Sequence, residues 1–384
     1  MWRAPGMLAL AVMSMFGFSG YAALLAVAPL WVVEGGATAA GAGLVNGALL
    51  VATVLTQLLV PWALARWGTG GVLVVGLLLL GAPAPAYLIS DRLGWVLGLS
   101  ALRGMGFGVL TVVGSAVVAQ LVPATRRGAA IGVYGLSVAI PNLLLLPGSV
   151  PVADRWGFGP VFWVAALPLL GVPAAYRLAH VLRTPDRCQS GQDDPGPVAS
   201  WKGLSGIVGP TVVLFSVTMT GGALLTFAPQ LTSAGSAAAV LLTMGAASAL
   251  SRWLIGALAD RLGAWPFIAP LLTCAGFAMA VCAWAVARDH GLVLVAAATV
   301  LGLCYGALQN LTLMAAFAAV EPSNVPAASA GWNIGFDAGT ASGSVVAGAL
   351  AAAYSVPVSL ATLAGICLLA LSVALAPASR RDAR

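Results

Sequence analysis

The chain has 384 residues, of which 60% are hydrophobic and only 7% charged, and its mean hydropathy is +1.00. A soluble domain carries roughly 25% charged residues to cover its surface, so this composition excludes a water-soluble globular protein. The formal net charge of +6 follows from the topology of a membrane chain and is no sign of nucleic-acid binding.

A helix needs about 20 apolar residues to cross the roughly 30 Å hydrocarbon core. Twelve such stretches are predicted, at 8–32, 42–65, 71–90, 94–120, 128–150, 159–180, 204–226, 237–259, 265–287, 291–318, 327–352 and 356–377. They are continuous apolar runs, unlike the alternating ten-residue segments of a membrane barrel. The fold class is therefore an all-α membrane protein. The first run exceeds a signal-peptide core and reads as an uncleaved span. Between the sixth and seventh runs, 183–203 gathers Pro, Gly, Ser, Gln and Asp without an apolar period and reads as a cytoplasmic loop. It separates an N-terminal six-helix bundle, 1–182, from a C-terminal one, 204–384.

Basic residues set the orientation. Arg3, Arg66, Arg126, Arg127, Arg177, Arg183, Arg187, Lys202, Arg261, Arg380, Arg381 and Arg384 fall at the termini or at even-numbered connections. Arg92, Arg155 and Arg288 fall on the other side, each beside an acid: Asp91, Asp154 and Asp289. Positive charge stays cytoplasmic, which places both termini inside. The five cysteines, Cys188, Cys274, Cys282, Cys304 and Cys367, have no metal-ligand or disulfide spacing and read as small packing residues.

The halves look duplicated. Ala28-Pro29-Leu30 in the first span matches Ala228-Pro229-Gln230 in the seventh. Gly104 through Gly108 matches Gly302 through Gly306, and Gly128 through Gly132 matches Ala327 through Gly331. The three offsets are nearly equal, and duplicated halves usually hold substrate between them near the midplane.

After the eighth span comes Gly256-Ala257-Leu258-Ala259-Asp260-Arg261-Leu262-Gly263. It resembles the loop signature of the major facilitator superfamily. The counterpart after the second span, Pro61 through Gly68, keeps Arg66 and Gly68 but has Ala65 where the family usually has an acid. The resemblance implies a gating loop of Gly256, Asp260, Arg261, Gly263, Arg66 and Gly68. It also implies two pseudo-symmetric six-helix bundles of the major facilitator fold that alternate access, as in bacterial drug- and sugar-efflux-like members. The exit of the first span, Ala28-Pro29-Leu30 followed by Glu34-Gly35, fits the same family. So does the eleventh span, with Trp332-Asn333-Ile334-Gly335-Phe336-Asp337. The fifth span departs from the family's drug-antiporter pattern: Ile140-Pro141 follows Gly135 where a Gly-Pro pair is usual.

A charge at the bilayer centre costs about 2.5–3.5 kcal/mol even on permissive scales. Of the eleven acids only Asp337 falls well inside a predicted span, one helical turn after Asn333. It is the candidate for proton coupling, and a hydrogen-bonded Asp that pairs helices is the structural alternative. Arg103, early in the fourth span, is a fixed cation or snorkels to the interface. Arg252 reads as a span-end residue that pairs or snorkels. Gln309, Asn310, Asn142, Asn46 and Gln57 each need a partner in lipid. Candidate substrate contacts are Asn333, Gln309, Asn310, Asn142, Arg103, Tyr21 and Trp332, with Phe16, Phe107 and Tyr305 as further aromatic candidates.

No nucleotide loop, metal cluster or nucleophile–base pair appears in the sequence, so no enzyme activity and no cofactor are expected. The partners expected are a small-molecule substrate, protons and the lipid bilayer, with no nucleic acid, and the chain is expected to be a monomer. Proton-coupled efflux of a neutral, weakly cationic or amphipathic compound across the plasma membrane is the first reading. Uptake or facilitated diffusion of a neutral nutrient such as a sugar is the second. A membrane sensor or intramembrane enzyme would need an added domain or a catalytic cluster.

Overall fold

The computed structural model describes residues 5–182, 204–231 and 234–376. The predicted loop 183–203, with Arg183, Arg187, Cys188 and Lys202, lies outside the described residues, as do Arg3, Arg380, Arg381 and Arg384. The helices are α1 (Met7–Glu34), α2 (Ala39–Gly81), α3 (Leu93–Leu121), α4 (Arg127–Trp156), α5 (Phe158–Val164) and α6 (Val172–Leu182). They continue as α7 (Ser205–Leu231), α8 (Ala234–Leu262), α9 (Trp265–Ala287), α10 (Gly291–Ala318), α11 (Val325–Ala353), α12 (Val356–Leu369) and α13 (Leu371–Leu375). Short 3-10 turns join some of them, and no strand occurs among the described residues.

Ten described segments are long and apolar enough to cross a bilayer. One of them, Gly41–Ile89, has 49 residues. As one straight helix it would reach roughly 70 Å, over twice the hydrocarbon core. It does not run straight: Gly68 takes φ 71° and ψ 166° and breaks the helix between the predicted second and third spans. The predicted sixth span is also interrupted. Leu167–Gly171 tightens into a 3-10 turn with Pro168 near its start, between α5 and α6. Proline has no N–H to continue the ladder, which accounts for the break. The twelfth breaks at Ala370, between α12 and α13.

Helix starts follow local chemistry. The Thr38 hydroxyl accepts from the Gly41 N–H, and the Ser355 hydroxyl accepts from the Val358 N–H. Proline stands in the first turns of α9, α11 and α12, where its missing donor costs nothing.

The described chain divides into two compact units. One is Met1–Val122 with Ser137–Ser200, and the other is Pro123–Leu136 with Trp201–Arg384. The start of α4 therefore groups with the C-terminal unit. In the first unit α3 packs on α2 through Gly104, against the Leu49 backbone, and Gly108, against the Thr53 carbonyl. In the second unit α10 packs on α8 through Gly302, against Met244, and Gly306, against Ser248. The glycine pairs matched in the sequence thus perform the same task twice: a missing side chain lets two backbones touch, which lipid alone would not drive.

A core of Leu, Val, Ala and Met from α7 to α13 fills the second unit. Many large apolar side chains remain exposed, among them Leu59, Val75, Phe277, Val345 and Leu369. Patches of that extent suit a lipid-covered surface and not a water-covered one.

Candidate functional site

The gating-loop residues of the second unit form a built contact. α8 ends at Leu262, and Gly263 turns the chain with φ 81°, a conformation that favours glycine. Asp260, one turn earlier, sends its carboxylate to the start of α4. Gly128 donates its N–H to Asp260 Oδ1 at 2.7 Å, and Ala129 donates to Oδ2 at 2.9 Å. A helix start has free N–H groups and partial positive charge, so one carboxylate satisfies two donors and the dipole together.

Two glycines make this approach possible. A Cβ on Gly256 would collide with the Gly128 carbonyl, and one on Gly128 would collide with the Gly256 carbonyl. Asn310, fully buried on α10, completes the join. Its Nδ2 donates to Gly128 O at 3.1 Å and to Arg252 O at 2.7 Å. Arg261 is exposed beside the clamp. The sequence grouped Asp260, Gly256 and Gly263, and the structure adds Asn310 to them.

Deeper along the same helices lies a charged layer. Arg252 is buried, and its Nη1 donates to Gln309 Oε1 at 2.8 Å. Of the two expectations for Arg252, pairing and snorkelling, the structure shows the first, because the guanidinium turns inward to Gln309. Tyr134 and Tyr305 lie within electrostatic range of it.

Tyr305 also lies within electrostatic range of Asp337 on α11. Asp337 is half-buried and has a partner of its own. Asn333 donates to Ser329 O at 2.8 Å, along its own helix. Trp332 Nε1 donates to Thr312 Oγ1 at 3.1 Å, and the Trp332 and Phe336 rings stack at 5.9 Å. Asp337, Trp332, Asn333, Gln309 and Asn310 thus belong to one unit.

The remaining candidates belong to the first unit. Arg103 is buried, with Nε donating to Leu80 O at 3.1 Å and Nη2 donating to Gly20 O at 2.6 Å. Its guanidinium lies 5.9 Å from the Tyr87 ring centre. It neither snorkels nor needs a carboxylate, because carbonyls of α1 and α2 hold it. Tyr21 stacks on Phe107 at 3.8 Å. Asn142 donates back to Val138 O at 2.8 Å on its own helix. Arg66 is exposed.

The Major Facilitator Superfamily model matches residues 8–319. The chain belongs to the major facilitator superfamily. Over 103 residues it is 39% identical to an "uncharacterized MFS-type transporter" of Pseudomonas aeruginosa. That match spans 26% of this chain and 23% of the relative's length. Among solved structures, the proton:xylose symporter XylE bound to 6-bromo-6-deoxy-D-glucose superposes with a TM-score of 0.76. Identity is 13%, over 96% of this chain and 94% of that one. The human organic anion transporter MFSD10 gives 0.71 at 16% identity, over 96% and 98%. Identities this low show the fold alone. Members of the superfamily are transporters, and this chain is a multi-pass membrane protein of that superfamily.

Within this superfamily member, sequence reasoning gave Arg252, Tyr134 and Tyr305 too little weight. The available signal was an arginine ten residues inside α8, with Gln309 on α10 needing a partner in lipid. What it lacked was the contact that joins them.

Proposed function

We propose that this chain is a twelve-span secondary transporter that moves a small organic molecule across the plasma membrane by proton-coupled efflux. The break at Gly68 supports two spans within Gly41–Ile89, and the 29-residue α11 supplies one more beyond the ten apolar segments. The observation that carries the transport reading is the clamp: Asp260 on Gly128 and Ala129, closed by Asn310. With both termini cytoplasmic, this clamp stands at the cytoplasmic face and opens when access alternates. Substrate contacts are proposed at Asn333, Gln309, Asn310 and Trp332 in the second unit, and at Asn142, Arg103 and Tyr21 in the first. Asp337, within electrostatic range of Tyr305, carries the proton. The monomer is the working unit.

The superposition with a sugar symporter favours the second reading, uptake of a neutral nutrient such as a sugar, at the level of fold. Everted membrane vesicles with an acidified lumen separate the two. In the efflux reading, adding substrate collapses the proton gradient in native vesicles and leaves it intact with Asp337→Asn. Equal collapse in both would show that Asp337 does not carry the proton. Substrate-driven acidification of right-side-out vesicles, with no substrate exit, would favour uptake.

A further inference from the structure

The fold treats its two intramembrane arginines differently. Arg103 is satisfied by the Leu80 and Gly20 carbonyls and by the Tyr87 ring. Arg252 is not satisfied in this way. It makes one side-chain hydrogen bond, to Gln309, and its buried Nε–H has no partner. No carboxylate lies within ion-pair distance of it among the described residues. It stands ten residues from the end of α8 at Leu262, about 15 Å along a helix and half the hydrocarbon thickness.

A guanidinium keeps its charge under nearly all conditions. A buried permanent cation is costly unless something of opposite sign pairs with it. The surroundings are prepared for such a partner. Gly135 closes directly over the guanidinium: a Cβ there would lie 2.6 Å from Nε, so only a glycine lets α4 pack on it. Tyr134, its neighbour on α4, lies within electrostatic range of Arg252. Tyr305 stands one turn from Gln309 on the same face of α10 and is also within range. Two tyrosines, one on α4 and one on α10, thus lie within electrostatic range of the Arg252 fork on α8.

We propose that Arg252, with Tyr134 and Tyr305, receives the acidic group of the transported molecule, so the substrate is a small amphipathic organic acid. This rests on the transporter reading above and narrows its substrate class. Forked N–H donors match a carboxylate in geometry and charge. The clamp shares this machinery: Gln309 holds the cation while its neighbour Asn310 holds the clamp, and Asn310 bonds the Arg252 carbonyl. Departure of the α4 start from α8 and α10 would remove Gly135 from Nε and uncover the fork.

The test is equilibrium binding to the full chain in detergent at pH 7.5. The probes are benzoate, phenylacetate, indole-3-acetate, salicylate and decanoate, each paired with its neutral primary amide. Thermal stabilisation of the native chain should rank acids above their amides. Arg252→Gln should weaken the acids about tenfold to a hundredfold while leaving the amides unmoved. If that variant does not fold, Arg252→Lys and Tyr134→Phe carry the test, each lowering affinity for acids more than for amides. Acids that rank no higher than amides on the native chain overturn the proposal. So do acids that bind the folded variants as tightly as the native chain. Binding at equilibrium needs no proton gradient, so either result stands apart from the vesicle assay of Asp337.

Discussion

The two gating loops began from one pattern and now differ in the residue that makes a contact. Gly68 and Gly263 both hold positive φ, 71° and 81°, so each half keeps the glycine that its turn requires. Asp260 has Ala65 as its counterpart, and Gly256 has Pro61. Their targets differ as well. Asp260 caps the start of α4 at Gly128 and Ala129, whereas the matching start of α11 has Asn324 at its cap position with no side-chain hydrogen bond. The backbone turn is a local demand that each half must meet alone. The acid and the paired glycines serve a contact, and a contact can be kept on one side only.

The largest effect should come from the glycine pair. Gly256→Leu places a side chain where the Gly128 carbonyl lies, backbone against backbone, with no flexible atom to yield. The expected outcome is near-complete loss of transport in a chain that still inserts. Labelling of a cysteine placed near Gly128 should become permanently fast from the cytoplasmic side. Normal transport by this variant would mean that the clamp need not close.

Asp260→Ala should come next. It removes two charge-assisted bonds, each worth about 1.5–3 kcal/mol, from a half-buried site where water recovers part of that loss. The same labelling should rise about tenfold or more, with transport slowed and not abolished. Asp260→Asn should fall between the two, since one amide oxygen can still accept. If alanine labels no faster than native, the capping bonds are incidental and the glycine packing alone sets the closed state.

Much of the fold was legible because lipid imposes a strict rule: each backbone polar group must be satisfied within its own helix or a closed barrel. Long apolar runs therefore announced themselves. The interruption at Leu167–Gly171 did not, because its neighbours stay apolar through the break. Facing was harder to read. Helices apolar nearly all round carry little record of which side meets protein, so pairing and snorkelling were both open for Arg252. Asp260 was legible as a motif, but its acceptors at Gly128 and Ala129 were not, since 131 or more residues separate them in the chain. The repeat gave a hint, because it singled out Gly128 through Gly132 without saying what those glycines touch.

The smallest effect is expected from restoring the lost acid. Ala65→Asp gives the first loop the residue that its counterpart has, one position before the exposed Arg66. If the acid alone made the clamp, this change would strengthen closure as much as Asp260→Ala weakens it. The structure argues otherwise, because Asp260 works beside a Gly–Gly approach, and the matching positions are Pro61 and Ala327. Without a glycine pair, a carboxylate is expected to act on a helix start through charge alone, worth about 0.3–1 kcal/mol and screened by salt. Cytoplasmic labelling should therefore slow by less than about fivefold, and the change should fade as ionic strength rises. A salt-resistant slowing as large as the Asp260→Ala effect would show that the acid alone makes the lock and that the paired glycines are dispensable.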